Sequence, residues 1–311
     1  HLRRLKAVGA FSVKSYNQPR RDQRQQIIAA ARELNMMVVP EGGSLFEHNM
    51  TMIVDGHTGI EHTLPVECIY DDVRDLWKSS SAGYTPTLIV AYGGLDGEHY
   101  WYDQMDVWQN ERLLRFVPRM IVEPRSRRRP RAPQSDYNVL RVASIAREVV
   151  EAGSTAQLGA HGQLAGLGAH WELWSLTAPG VGNALSNTQA LRAATIDGAK
   201  YLGFDNDLGS IESGKLADLL ILEKDPREEI KNSLTITHTV ANGIVYNAAD
   251  MSVVAPTPAP GPTFWFKDFQ RGQATALMMA RFAHTCAGCG RVGGDHGGEH
   301  VSHGESREGY R

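Results

Sequence analysis

Apolar and polar residues alternate in two different rhythms along this chain. Between residues 8 and 160, short apolar runs of strand length are separated by segments in which apolar residues recur every three or four positions. The short runs predict buried strands, and the periodic segments predict amphipathic helices. Their alternation is typical of βα units, so this part of the chain predicts an α/β fold with a parallel sheet.

Five strands and three helices are predicted in this part of the chain, and a fourth helix follows it. The strands are predicted at residues 8–14, 36–40, 59–61, 87–91 and 155–159, and the helices at residues 21–35, 71–81, 136–152 and 171–176. A long insertion over residues 95–135 separates the fourth strand from the third helix.

Residues 188–246 follow a different pattern. A predicted helix ends at Gly203, an apolar strand covers residues 218–222, and Asn242 and Gly243 form the turn of a hairpin. Asn-Gly favours a type I′ turn because both residues adopt positive φ readily. This segment therefore predicts a small β unit after the α/β part.

Composition and charge narrow the class of protein. The 311 residues are 42% hydrophobic and 22% charged, with a formal net charge of −3, which is typical of a globular protein. The charge predicts no nucleic-acid partner, and no apolar run approaches the ~20 residues of a membrane-spanning helix. The cysteines, Cys68, Cys286 and Cys289, are too few for a disulfide scaffold.

The chain starts with His1 and runs directly into the pattern of the first strand. We therefore expect the natural protein to begin upstream of this residue. The sequence assigns no cellular compartment, and a signal peptide upstream would make the protein periplasmic or exported.

Four polar residues stand at the ends of predicted strands: Lys14, Glu41, His62 and His161. The carboxyl ends of parallel strands share one mouth in a barrel, so we expect these side chains to converge. Imidazole and carboxylate groups are ligands that Zn²⁺ prefers, and a metal ion with an open position activates water. The four residues therefore predict a site for one or two divalent metal ions, with zinc favoured.

Each of these residues also has a structural interpretation. Lys14 is alternatively solvated or paired with a carboxylate, Glu41 is alternatively an ion-pair partner, and His161 alternatively satisfies backbone carbonyls. Three further histidines on loops of the same face, His48, His57 and His99, are interpreted as surface residues. His170 and Glu172 begin a helix that we expect to pack on the core with a solvated edge.

Two charged or metal-binding patterns have competing interpretations. The arginines between residues 125 and 131 favour a solvated loop with local ion pairs over a phosphate or nucleic-acid site, because no aromatic residues interleave with them. Residues 251–311 predict a Pro-rich linker and a disordered tail. Cys286 and Cys289 in that tail have the spacing of a zinc module, with a metal-storage appendage as the alternative function.

Residues 188–246 resemble the C-terminal closure of the metal-dependent amidohydrolase superfamily. The motifs Val-Lys-Ser-Tyr at residues 13–16 and Ile-Glu-His at residues 60–62 are similar to its fourth and sixth strands. The runs at residues 40–51, 56–62, 84–87, 97–101 and 159–163 resemble the branch that is often attached to TolB-like β-propeller repeats. The likeness covers roughly residues 1–250.

The resemblance implies a partial (β/α)₈ TIM barrel, strands four to eight, followed by a small C-terminal β-sandwich segment. It implies a barrel part over residues 1–200, a sandwich closure over 201–250, and the linker and tail over 251–311. Strands one to three are then expected before His1. A barrel without them has two open edges, so the remainder of the barrel or a partner chain is expected to complete it.

The resemblance also implies roles for the four residues. Lys14 stands where the family carries a metal-bridging lysine carbamate, and His62 stands at the metal histidine of strand six. Glu41 replaces the usual histidine of strand five, and His161 replaces the aspartate that binds metal and takes a proton. The strand-one His-x-His pair is absent from this chain. The implied catalytic residues are Lys14 and His161.

The function that follows is metal-dependent hydrolysis of carbon–nitrogen bonds other than peptide bonds, with a small-molecule amide or cyclic amide as substrate. The two replacements and the missing strands motivate an alternative, in which the domain is a non-catalytic binding or scaffold module with a degenerate site.

Overall fold

The computed structural model describes residues 1–16, 18, 20–178 and 184–267. The chain divides into one unit over His1–Pro262 and a second over Thr263–Arg311. In the described residues, no helix combines the length and the apolar character needed to cross a membrane.

Short parallel strands form the centre of the first unit. These are β1 (Ser12–Ser15), β2 (Met37–Pro40), β3 (Gly59–Glu61) and β4 (Gly83–Thr85). β1 pairs with β2 and β3 pairs with β4, both in parallel. A parallel bridge between Glu41 and Glu61 joins the two pairs, and a second one joins Tyr84 to Ala156. Five extended segments therefore follow one another in chain order and in one direction, as the alternating sequence predicted. Closure of these segments into a barrel stays a prediction.

The prediction of a strand at residues 87–91 is wrong. These residues form a 3₁₀ helix, Leu88–Val90, and the strand lies earlier, at Gly83–Thr85. Thr87 adopts a positive φ of 51°, which turns the chain out of the sheet direction. The strand predicted at residues 155–159 is reduced to the single bridge at Ala156.

Helices flank the strands. In chain order they are α1 (Leu2–Ala7), α2 (Arg21–Glu33), α3 (Phe46–Asp55), α4 (Asp71–Lys78), α5 (Gly97–Gln104), α6 (Glu111–Phe116), α7 (Arg119–Arg127), α8 (Val139–Val142), α9 (Ser144–Glu151), α10 (Gly168–Leu176), α11 (Asn187–Ala193) and α12 (Ile196–Leu202). α12 ends at Gly203 as the sequence predicted, and Gly203 adopts the left-handed conformation.

Alternation along the strands separates two faces of the sheet. Ile60 and Tyr84 are fully buried among the helices, and the ring of Tyr84 meets Trp77 of α4 edge to face at 5.7 Å. Successive side chains of a strand point to opposite faces, so Glu61 and Thr85 lie on the other face. That face carries the candidate site.

The insertion at residues 95–135 folds as α5–α7, and most of its arginines are paired locally. Arg125 bonds to Glu98 at 2.9 Å, and Arg129 bonds to Asp106 at 2.7 Å. Arg127 and Arg131 also have carboxylates within 4 Å. The predicted local ion pairs are confirmed, but the predicted loop is wrong for Arg125 and Arg127, which lie in α7.

The C-terminal part of the first unit is a four-stranded antiparallel sheet in the order β5-β6-β7-β8. The strands are β5 (Leu219–Leu222), β6 (Ile236–Ala241), β7 (Ile244–Asn247) and β8 (Val253–Ala255). Asn242 and Gly243 have φ values of 48° and 81°, as the predicted turn requires. Arg112 of α6 bonds to the carbonyls of Leu234 and Ile236 at 2.8 and 2.7 Å, which ties the sheet to the insertion.

β8 lies inside the segment that composition predicted to be a linker. Its pairing with β7 explains the difference, because an edge strand needs hydrogen bonds on one side only and tolerates the prolines that follow. The sandwich prediction for this region concerns a second sheet and stays a prediction. In the second unit, a 3₁₀ helix covers Trp265–Lys267. The predicted zinc module at Cys286 and Cys289 lies outside the described residues.

Candidate active site

Lys14 and Glu41 form an ion pair at the carboxyl ends of β1 and β2. The Lys14 Nζ and Glu41 Oε2 atoms are 2.6 Å apart, with 63% of the lysine side chain and 19% of the glutamate side chain exposed. The Glu41 backbone N–H donates to the Ser15 carbonyl at 3.1 Å, which fixes the register of the two strand ends. The Lys14 ammonium also lies 4.5 Å from the centre of the Tyr16 ring.

His62 follows directly on β3 and faces the same region. Its φ of 72° is unusual for a residue other than glycine, and its backbone N–H donates to the Thr85 carbonyl at 2.8 Å. The residue is 9% exposed. Burial lowers the pKa of the imidazole below its usual value, and the Glu41 carboxylate works in the opposite direction. Burial therefore favours the neutral ring, which is the form that binds metal ions.

His161 approaches His62 from the loop after the fifth extended segment. The two ring centres are 5.2 Å apart, and the planes meet at 69°. His161 has a φ of 50° and Gly162 a φ of 71°, so two successive positive φ values turn the chain toward His62. His161 is exposed, in contrast to its partner.

A cavity of about 280 Å³ lies beside these groups. Its lining residues are Ser12, Lys14, Val39, Pro40, Glu41, Glu61 and His62. Three of the four predicted site residues thus line one cavity. His161 contacts this group through the ring of His62. The metal-ligand and catalytic roles of the four residues stay predictions.

The side chains of His62, His161 and Glu41 are of the kinds that bind divalent metal ions. Two imidazoles and one carboxylate are ligands that zinc accepts. Among the residues that the structure describes, however, no three His, Cys, Asp or Glu side chains are arranged to hold one ion together. His62 and His161, with Glu41 beside them, are therefore the residues that would hold part of a metal coordination sphere.

The Lys14–Glu41 pair bears on the lysine carbamate that the family resemblance implies. Carbamate formation changes the side chain from a cation to an anion, and an anion at this position would lie against Glu41. The pair at 2.6 Å fits the alternative interpretation, in which Lys14 binds a carboxylate. Conversion to a carbamate would require the two side chains to separate.

Sequence reasoning missed several polar contacts around the site. Tyr201 of α12 donates its hydroxyl hydrogen to Glu61 at 2.6 Å. Burial raises the pKa of Glu61, and the bond from Tyr201 opposes that rise. The Ile-Glu-His motif identified Glu61, but nothing in the sequence pattern pairs it with a residue 140 positions later.

The interpretation of His57 as a surface residue is wrong, whereas the helix near His170 and Glu172 packs on the core as predicted. His57 is buried, with Nδ1 2.9 Å from the Met52 carbonyl and Nε2 3.2 Å from the Ser15 hydroxyl. Glu172 is also buried, and its two carboxylate oxygens each accept a backbone N–H at 2.8 Å, from Leu88 and Ile89. His48 is partly buried, and the His99 Nδ1 atom lies 2.6 Å from Oδ1 of Asp96, the residue that caps α5.

One family model matches the part of the chain that follows the parallel strands β1–β4. The model described as "Amidohydrolase family" matches residues 147–245, from α9 to β7. The fold is similar to that of a crystal structure of a Xaa-Pro dipeptidase with bound methionine, with a TM-score of 0.55 and 22% identity. Residues 147–245 therefore match the amidohydrolase family, and the fold of the chain is similar to that of the dipeptidase.

Two curated relatives match a shorter stretch of the chain. The 5'-deoxyadenosine deaminase of Methanobrevibacter smithii is 34% identical over 70 residues, which is 22% of this chain and 15% of that protein. The imidazolonepropionase of Picrophilus torridus is 41% identical over 63 residues, which is 19% of this chain and 16% of that protein. The dipeptidase match covers 79% of this chain and 57% of the dipeptidase chain. The chain thus spans less than two thirds of the length of each of these proteins.

The region that matches the amidohydrolase family model includes His161 and Glu172 but not Lys14, Glu41 or His62. The narrower assignment to the branch with TolB-like propellers stays a prediction.

Proposed function

We propose that this chain forms the C-terminal part of a metal-dependent hydrolase that cleaves carbon–nitrogen bonds other than peptide bonds. The contact between His62, which lines the cavity, and His161 carries the proposal, because two adjacent imidazoles after parallel strands are a typical start of a metal site. The named deaminase and imidazolonepropionase relatives support chemistry at a carbon–nitrogen bond. A small amide or cyclic amide is the substrate class.

The four site residues would have different roles, which follow from how buried or exposed each one is. His62, buried and held neutral, would hold the metal ion. His161, exposed beside it, would bind the same ion or accept the proton of the attacking water. A bound divalent ion of this kind lowers the pKa of water and polarises the scissile carbonyl. Lys14 and Glu41 carry a fixed pair of charges at the cavity wall, where they would orient a polar substrate.

We further propose that the barrel is completed by a segment or partner chain that supplies the remaining metal ligands. Five sequential parallel segments and a separate antiparallel sheet support a partial barrel with strands four to eight followed by a sandwich segment. Zinc, as one or two ions, suits the nitrogen and oxygen donors.

Titration of the chain with Zn²⁺, followed by calorimetry, tests the proposal. We expect one weak site per chain, and we expect His62→Ala to weaken it by roughly tenfold or more. His238→Ala is the matched control, because His238 lies in β6 of the antiparallel sheet. Equal zinc affinity in the wild-type chain and in His62→Ala would refute the metal site. A hydrolysis screen with cyclic amides in the presence of zinc then tests the substrate class.

The Lys14–Glu41 ion pair favours a second candidate, the non-catalytic binding module. The pair satisfies both charges without a metal ion, as a degenerate site would. Zinc binding that depends on His62 would exclude this candidate. A chain that binds small amides by calorimetry with no zinc requirement and no turnover would establish it.

A further inference from the structure

Two sequence motifs that lie far apart in the chain meet beside His161. Glu98 belongs to the run Gly-Glu-His-Tyr-Trp at residues 97–101, and Gln163 ends the run Gly-Ala-His-Gly-Gln at residues 159–163. The Gln163 Nε2 atom donates to Glu98 Oε2 at 2.7 Å. This contact connects the insertion helix α5 to the loop that carries the proposed metal and proton residue.

Glu98 is held from two sides. It is buried, with 8% of its surface exposed, and Arg125 of α7 donates to its other oxygen, Oε1, at 2.9 Å. A carboxylate paired with an arginine only accepts hydrogen bonds. The NH₂ group of Gln163 must therefore face Glu98, which settles the orientation of the glutamine amide.

The other end of that amide faces His161. With its nitrogen on Glu98, the Gln163 Oε1 atom lies 3.5 Å from His161 Nδ1. The carbonyl oxygen of an amide only accepts, so it favours a proton on Nδ1 of the imidazole. The distance is at the outer limit of a hydrogen bond, and catalytic contacts of this kind commonly tighten when a ligand binds.

We propose that Gln163 and Glu98 are positioning residues that fix the tautomer of His161 with the proton on Nδ1. Nε2 then keeps its lone pair and is the atom that binds a metal ion or accepts a proton from water. Arg125 holds Glu98 in place through its hydrogen bond to Oε1. The inference deepens the proposed function and rests on it for the use of Nε2, whereas the tautomer itself is a property of the metal-free chain.

The tautomer is measured directly by nitrogen NMR of the full chain labelled with ¹⁵N-histidine. The spectra are recorded at a pH of about 8.5, where an ordinary imidazole is neutral. Comparison with His161→Gln identifies the His161 signals. We expect the wild-type ring to carry its proton on Nδ1.

Gln163→Met removes the acceptor and keeps the length of the side chain. We expect it to shift the tautomer ratio of His161 toward Nε2–H by about fivefold, the equivalent of a neutral hydrogen bond of about 1 kcal/mol. Glu98→Gln is expected to shift the ratio in the same direction by less, because an amide at position 98 accepts either end of Gln163. Gln109→Met is the matched control, since Gln109 makes a similar amide–carboxylate contact with Asp106 on an exposed surface.

An Nε2 proton on His161 in the wild-type chain, or an unchanged ratio in Gln163→Met, would overturn the proposal. A shift in Gln163→Met with none in folded Glu98→Gln would remove Glu98 from it. Gln163 lies on a partly exposed loop, so its variant tests the proposal even where Glu98→Gln fails to fold. Zinc titration of the same samples separates the tautomer proposal from the proposed function. If His161 carries its proton on Nδ1 as expected but the chain binds no zinc, only the proposed function is refuted.

Discussion

The imidazole rings of His62 and His161 meet edge to face with their centres 5.2 Å apart, although one follows β3 and the other follows the last parallel segment. Each ring is delivered by a residue in a positive-φ conformation, 72° for His62 and 50° for His161. Such conformations are costly for residues with side chains and persist where surrounding structure determines them. The pair is therefore a built feature of this edge of the sheet.

Metal affinity in the two single variants and the double variant tests whether the rings share one ion. If both bind it, His62→Ala and His161→Ala each remove most of the zinc affinity, and their effects are non-additive. Calorimetric titration of the four proteins measures the interaction energy. Loss of either ring is expected to weaken zinc binding by at least the roughly tenfold at the lower end of what loss of an outer hydrogen-bond partner costs. Additive losses would place the two histidines at separate ions.

Glu172 is expected to make stability depend on pH. Burial raises the pKa of its carboxyl group from 4.5 to about 8, against the opposing backbone hydrogen bonds from Leu88 and Ile89. The folded state therefore binds more protons than the unfolded state between these values, and the unfolding free energy falls as pH rises through this window. Urea denaturation between pH 5 and about 8.5 measures the slope.

Substitution of Glu172 separates its charge from its hydrogen bonds. Glu172→Gln should remove much of this slope because it cannot titrate. Glu172→Ala leaves two buried N–H donors without an acceptor and is expected to destabilise the protein by about 3 kcal/mol or more. Glu228→Ala at an exposed position is the control. An identical pH slope in wild type and Glu172→Gln would contradict the assignment.

The ring of Tyr201 occupies space that a side chain at Gly83 would need. An added Cβ at Gly83 would lie 2.6 Å from Tyr201 Cδ2 and 2.8 Å from Gln157 Oε1. We expect Gly83→Ala to destabilise the protein by about 1–3 kcal/mol. The cost should shrink in a Tyr201→Ala background. Thermal denaturation of wild type, the two single variants and the double variant measures this difference in cost. Gly43→Ala is the control, because its Cβ would meet nothing within 4 Å.

The Lys14–Glu41 pair should contribute little to stability. The lysine side chain is 63% exposed, and exposed ion pairs contribute about 0–1 kcal/mol. A double-mutant cycle of Lys14→Met and Glu41→Gln in low and high salt measures the coupling. We expect a small coupling energy that falls as salt rises. A coupling of several kcal/mol would show that the pair is buried in solution, as a completed barrel would make it.

The parallel segments could be predicted because their information is local. Residues 37–40 are a short apolar run, and a strand is favoured where such a run alternates with a helix-period segment. The segment 87–91 has the same apolar composition but bends at Thr87 and donates its N–H groups to Glu172. Nothing within that segment indicates a carboxylate from α10, so the local pattern predicts a strand there.

Part of the candidate site could likewise be predicted from the sequence, and part could not. The positions of Lys14, Glu41 and His62 at strand ends could be predicted, because parallel strands bring their carboxyl ends to one edge. The contacts of Glu61 with Tyr201 and of Gln163 with Glu98 could not, because each joins elements whose separation is set by helix packing.

The sequence by itself determined the α/β rhythm, the hairpin at Asn242 and Gly243, and which polar residues end the strands, because periodicity and backbone preference are properties of neighbouring residues. Only the tertiary structure decided which of these groups touch. Lys14 pairs with Glu41 while its side chain stays largely exposed, and the ring of His161 contacts that of His62. These contacts depend on the packing of the whole sheet and its helices, which sets the distance between the strand ends and loops.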